Sequence, residues 1–140
     1  MSTAGYRASP KLSVGIDLVQ VSRVSDSLSR FGDRFMRRIF TEGEIAYATS
    51  SPALVAERFA ARLAAKEATM KALNLGEAGV GWKDIEIARA ESGAPTLVLH
   101  GTAEARARDA GVSNVELSLS HEGDYATAVV ITTREMRDTK

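Results

Sequence analysis

The alternation of apolar and polar positions predicts most of the elements of this chain. Val55, Phe59, Leu63, Met70 and Leu73 recur at helical spacing, and the positions between them are mostly alanine. A helix apolar on nearly every side is expected to be buried. Ser51-Pro52 opens it, with proline where its missing N–H does no harm, and Gly76 is its expected stop. Upstream, Leu12 to Leu18 reads as a strand containing Gly15 and Asp17. Val21, Val24, Leu28 and Phe31 then mark a helix that Gly32 can end. Phe35 to Phe40 is a second helical piece, and Thr41-Glu42-Gly43-Glu44 fits a capping box opening a short helix to Ala48.

Downstream, Gly76, Gly79 and Gly81 make a flexible loop before Trp82. Asp84 to Ala90 and Thr96 to His100 form a hairpin across Ser92-Gly93-Ala94-Pro95. Thr102 to Ala110 is an alanine-rich helix ending at Gly111. Val115 to Ser120 alternates as a strand, and Glu122-Gly123-Asp124 turns into a last strand, Tyr125 to Ile131. Strands joined by tight turns favour an antiparallel sheet with helices packed on one face, an α+β fold.

Charge enters this pattern where it is least expected. Lys66 falls within the apolar stripe of the long helix, Glu67 sits on its edge, and Lys71 follows Glu67 by one turn. Buried charge is costly unless paired, ligating or functional. A structural Glu67–Lys71 ion pair is the simplest reading, and a functional site is the other. Length and composition suit one globular domain over residues 11–133: 140 residues, 44% hydrophobic and 26% charged. Residues 1–10 and 134–140 read as flexible tails. No apolar run is long enough to span a bilayer, and residues 1–10 hold no apolar signal segment. The absence of cysteine excludes disulfides, thiolate nucleophiles and Cys-bound metals, and fits a cytoplasmic protein. A net charge of +0 offers no general field for nucleic acid.

Three polar features remain as candidate chemistry. They are Asp17 in an apolar strand, the Lys66-Glu67 and Lys71 group, and Ser118-Leu119-Ser120-His121 at a strand end. Two carboxylates completed by water and phosphate suit Mg²⁺, which takes oxygen ligands and keeps several waters. Lysine, arginine or histidine nearby would hold phosphate oxygens. No G-x-x-x-x-G-K-[ST] or G-x-G-x-x-G cradle is present. A Ser120–His121 nucleophile pair is set aside, because strand neighbours point to opposite faces. Between residues 23 and 38, Arg23, Arg30, Arg34, Arg37 and Arg38 face only Asp26 and Asp33, a local +3. This is either a solvated helix face or a dock for an acidic partner.

Taken together, Gly15-Ile16-Asp17, Ala65-Lys66-Glu67-Ala68 with Lys71, and Ser118-Leu119-Ser120-His121 resemble the three motifs of the holo-[acyl-carrier-protein] synthases. These are the short, single-domain type of 4′-phosphopantetheinyl transferase. Arg34-Phe35 to Thr41 with Glu44, Trp82 to Ile87, and Gly93-Ala94-Pro95 are similar to the family in order and spacing. The resemblance runs from about Leu12 to Ile131, and His121-Glu122-Gly123-Asp124 is similar to actinobacterial members. Leu63 departs from the Phe or Trp usual before Ala-Ala-Lys-Glu, keeping an apolar contact.

The resemblance implies transfer of 4′-phosphopantetheine from coenzyme A to a serine of apo acyl carrier protein, for fatty acid biosynthesis. It implies Mg²⁺ on Asp17 and Glu67, with Lys71 on the pyrophosphate. Glu67, directly or through a metal-bound water, is the candidate base. Arg62, Lys66, Ser120 and His121 are expected as further coenzyme A contacts, and Arg23 and Arg30 on the helix that docks the carrier. A homotrimer with active sites between subunits is also implied. The competing expectations are a non-catalytic module holding coenzyme A or a carrier, and an unrelated Mg²⁺-dependent phosphatase or nuclease.

Overall fold

The computed structural model of the protein describes residues 11–76 and 79–135. β1 (Leu12–Gln20) runs directly into α1 (Val21–Phe31), followed by α2 (Asp33–Ile39) and α3 (Glu42–Thr49). A 3₁₀ turn at Pro52–Leu54 leads into α4 (Val55–Leu73), and a second at Trp82–Asp84 leads into β2 (Ile85–Arg89) and β3 (Pro95–Leu99). α5 (Gly101–Asp109), β4 (Val112–Glu122) and β5 (Tyr125–Arg134) complete the order. The fold is α+β, and among the described residues the strands divide into two antiparallel sheets, β1-β5-β4 and the hairpin β2-β3.

Local chemistry accounts for the boundaries. Thr41 and Glu44 exchange both bonds of the expected capping box at the start of α3. The stop of α4 differs from the expected Gly76. Asn74 takes the left-handed conformation (φ 53°), and the N–H groups of Asn74 and Leu75 close back on Lys71 and Met70 carbonyls. That Schellman pattern needs one positive-φ residue, which asparagine can supply. β4 and β5 extend beyond their expected ends, and Arg134 belongs to β5 rather than to a tail. The expected tails at 1–10 and 136–140, and residues 77–78 of the glycine loop, lie outside the described residues.

α4 is the hub, lying across the inner face of β1 and β5. Its small face, Ala64, Ala65, Ala68 and Ala72, is buried against Ala128 and Val130 of β5. Its other end packs Phe59 and Ala60 against Phe40, Val24 and Ala48. Helix and sheet approach so closely that a Cβ at Gly15 would lie 1.9 Å from the Ala68 carbonyl oxygen. Glycine in β1 is therefore a packing requirement. The opposite face of the sheet is open: Leu12, Val14, Ile16 and Leu18 are 54–65% exposed, beside Ile131.

Candidate active site

The β1–α4 contact brings the first two motifs together. With Gly15 against α4, the alternation of β1 turns Asp17 to the same face. Lys71, on α4, donates to Asp17 Oδ1 at 3.1 Å and to the Ile16 carbonyl at 3.0 Å. Thr127 Oγ1, from β5, donates to the Asp17 carbonyl at 2.7 Å and steadies the strand. Lys71 thus pairs with Asp17, across 54 residues, and not with Glu67 one turn away. Among the described residues, no hydrogen-bond donor meets the buried Asp17 Oδ2.

The two acids are electrostatically unlike. Burial acts to raise the Asp17 pKa, but interactions with Glu67 and Lys71 outweigh it and hold the carboxyl below the ordinary aspartate value. Burial and the neighbouring Asp17 charge push Glu67 up to about 7, with Lys71 only partly opposing. Glu67 lines two cavities. One, of about 410 Å³, has Arg23, Leu63 and Tyr125 on its walls; the other, of about 550 Å³, has Met70, Lys71 and Trp82.

Lys66 departs from the expected coenzyme A contact. Its side chain is 0% exposed and pairs with the equally buried Glu44 at 2.8 Å. The ammonium also donates to the backbone carbonyls of Trp82, at 3.1 Å, and Ile85, so its three donors are taken within the fold. Glu44 accepts in addition from Thr41 N–H and Ile87 N–H, each at 2.8 Å. Desolvation lowers the Lys66 pKa, and Glu44 only partly opposes it. The pair ties α3, α4 and β2 together and holds Trp82 at the edge of the Glu67 cavity.

Arg62 is buried at 4% exposure, one turn of α4 from Arg58. Three guanidiniums, those of Arg58, Arg62 and Arg89, lie 4.2–4.3 Å from the centre of the Tyr47 ring. Arg62 Nε is buried with no acceptor among the described residues, and desolvation lowers the Arg62 pKa. Tyr47, Arg62, Arg89 and Ser118 line a separate cavity of about 270 Å³. Ser120 pairs with Thr127 on the open face of the sheet, and His121 with Ala126 on the inner face. His121 Nε2 reaches Glu57 of α4 at 3.5 Å. Within one chain, then, Ser120 and His121 lie apart from the Asp17–Glu67–Lys71 cluster. Arg23 borders the Glu67 cavity, whereas Arg30 pairs with Asp26 on the exposed side of α1 at 3.6 Å.

Residues 13–130 match the 4′-phosphopantetheinyl transferase superfamily. The chain belongs to that superfamily. It is 50% identical over 121 residues to the holo-[acyl-carrier-protein] synthase of Koribacter versatilis, covering 86% of this chain and 96% of that protein. Among solved structures, it resembles a Chronobacterium ammoniagenes ACPS–CoA complex, with 33% identity and a TM-score of 0.75 over 89% of this chain and 98% of the other. It also resembles Helicobacter pylori holo-[acyl-carrier-protein] synthase in complex with coenzyme A, with 28% identity and a TM-score of 0.74 over 85% and 98%.

In this 4′-phosphopantetheinyl transferase, the Asp17–Glu67 pair suits a hard divalent cation. Burial and the neighbouring Asp17 carboxyl together raise Glu67 to about 7, and among the described residues Asp17 Oδ2 is buried without a donor. A cation with oxygen preference would satisfy both and let both acids ionise. The Tyr47–Arg58–Arg89 surround of Arg62 is absent from the sequence reading. A signal for it exists: Arg58 and Arg62 are like charges at i,i+4, an unfavourable spacing unless something between them compensates. Glu44 was legible as a cap and not as a buried ion-pair partner.

Proposed function

We infer that this chain is a holo-[acyl-carrier-protein] synthase. It transfers the 4′-phosphopantetheine arm of coenzyme A to a serine of an apo acyl carrier protein and releases adenosine 3′,5′-bisphosphate. The observation that carries this reading is the meeting of Asp17, Glu67 and Lys71 at one β1–α4 contact, in a chain whose relatives bear that name. The serine oxygen attacks the phosphorus bearing pantetheine, forming one P–O bond as the P–O bond to the nucleotide breaks. Such a reaction depends on positioning and charge stabilisation. Glu67, beside the position the serine must take, is the group that accepts its proton, directly or through a metal-bound water. Lys71, whose side chain is 58% exposed, turns from Asp17 to hold a pyrophosphate oxygen. Mg²⁺ held by Asp17 and Glu67 would neutralise the pyrophosphate and stabilise the leaving phosphate.

The remaining coenzyme A contacts fit an assembly better than one chain. Arg62, with Arg58 and Arg89 around Tyr47, forms a cationic cradle suited to a phosphate of the nucleotide. Ser120 stands on the same open sheet face as Leu12, Val14, Ile16 and Leu18. Burying that apolar face in a homotrimer would remove it from water and bring the strand end of one subunit towards the acids of the next. Arg23 and Arg30 place positive charge on α1, next to an apolar groove of about 480 Å³ lined by Phe31, Arg34, Phe35 and Arg38. That surface suits an acidic carrier with an apolar contact patch. We place the reaction in the cytoplasm, with fatty acid biosynthesis consuming the activated carrier.

Incubation with apo carrier, coenzyme A and Mg²⁺, followed by mass measurement of the carrier, tests the reading. A gain of one phosphopantetheine arm is expected. An unmodified carrier with coenzyme A bound would mean a binding module, and consumed coenzyme A with an unmodified carrier would mean hydrolysis.

A further inference from the structure

We propose that Asp124 is a positioning residue for carrier docking: from the β4–β5 turn it clamps the first turn of α1 and sets where Arg23 stands relative to Glu67. The proposal rests on the reading of α1 as the docking helix. α1 starts without a loop, its N-cap residue Gln20 makes no side-chain cap bond, and its first turn has no acidic residue. Those first N–H groups need partners. They are met from far along the chain. Asp124 Oδ1 accepts from Ser22 N–H at 3.0 Å, and Oδ2 accepts from Ser22 Oγ at 2.6 Å. The Asp124 carbonyl accepts from Val21 N–H at 2.7 Å. The carboxylate at this end also favours the helix dipole, and its bonds to Ser22 hold its pKa below the ordinary value.

The geometry of the turn supports a positioning role. Gly123, at φ 56°, lets the chain reverse so that Asp124 faces α1. Two residues before it, His121 reaches Glu57 of α4 at 3.5 Å. One hairpin tip therefore holds both α1 and α4, the helices whose Arg23 and Glu67 border a common cavity. Arg23 follows Ser22 directly, so loosening the first turn moves Arg23. The Asp17–Lys71 contact does not depend on that turn, because the packing of β1 on α4 makes it.

The test compares Asp124→Ala, Asp124→Asn and Ser22→Ala with Arg23→Ala as reference. Hydrogen exchange at residues 21–24, melting temperature, and kcat and KM for carrier and coenzyme A are measured. Asp124→Ala is expected to speed exchange in the first turn of α1 roughly three- to tenfold, the size of a lost cap. The carrier KM should rise by a similar factor, with kcat at saturating carrier and the coenzyme A KM within about twofold of wild type. Asp124→Asn keeps an oxygen acceptor and should restore most of both effects, and Ser22→Ala should give a smaller version of each. Unchanged exchange in Asp124→Ala would overturn the clamp. Faster exchange with an unchanged carrier KM, while Arg23→Ala raises it, would overturn the positioning role. An equal loss of kcat/KM for both substrates would show a merely structural cap. If Arg23→Ala leaves the carrier KM unchanged, the docking reading fails and the proposal falls with it, while exchange still reports the clamp.

Discussion

Gly15→Ala probes the contact on which the whole site depends. The added Cβ would lie 1.9 Å from the Ala68 carbonyl oxygen, 2.8 Å from Ala72 N and 3.0 Å from the Ala68 carbonyl carbon. All three are backbone atoms of α4, so no side chain can rotate away. Reaching even 3.0 Å from that oxygen requires β1 and α4 to separate by about 1.1 Å. Overpacking costs ~1–3 kcal/mol, and a backbone clash belongs at the upper end. With a urea m-value of ~1–3 kcal/mol/M, the midpoint should fall by about 1–3 M. The same separation carries Asp17 on β1 away from Glu67 and Lys71 on α4, the groups it meets across this contact. Misplacement by about 1 Å can cost ~100-fold in rate, so phosphopantetheine transfer by the folded fraction should fall at least tenfold. Gly81→Ala is the control, because its Cβ meets nothing nearer than 4.0 Å and its φ is −84°; its stability should stay within about 0.5 kcal/mol of wild type. A Gly15→Ala protein with an unchanged midpoint and normal turnover would refute the argument that this close approach builds the site.

Lys66→Met should destabilise the fold by ~3–5 kcal/mol in urea denaturation, by leaving Glu44 charged, buried and unpaired, while the coenzyme A KM of the surviving folded enzyme stays normal. A stable variant defective only in coenzyme A binding would return Lys66 to the substrate. Folding raises the Glu67 pKa from 4.5 to about 7, so the stabilisation from its bound proton is complete below about pH 4.5 and lost as pH rises through about 7. Without divalent cations, thermal stability should fall across that window, and Glu67→Gln should flatten the slope in melting curves taken by pH. Arg23→Glu should raise the carrier KM at low salt and show a smaller defect at high salt, where the Debye length falls below ~8 Å; a salt-independent defect would remove the electrostatic dock. Ile16→Asp, on the open apolar face of β1, should convert an oligomer to monomers by light scattering, and an unchanged mass would show that this face is not the interface.

What the sequence determined by itself was whatever depends on neighbours within a turn or along a strand. The 3.6-residue stripe of Val55 to Leu73 defined α4, and the Thr41–Glu44 capping box defined the start of α3. Alternation marked the strands, and with the turns implied the α+β class. The motif residues Gly15, Asp17, Glu67 and Lys71 were also legible, because a glycine in a strand and charges in an apolar helix break the local rule. Partners were decided only by the tertiary structure. Lys71 stands one turn from Glu67, yet it bonds to Asp17, because α4 lies against β1 closely enough for the strand to offer both a carboxylate and a carbonyl. Lys66 carries the same sequence signal as its neighbours, but its side chain enters the core where Glu44 and two backbone carbonyls meet it. Tyr47 gathers Arg58, Arg62 and Arg89 from two elements, and Asp124 caps a helix 102 residues away. A buried ammonium or an open helix end states in sequence that a partner is needed, since leaving it unpaired costs free energy. Which residue answers depends on the packing of distant elements, because only packing brings groups remote in sequence within bonding distance.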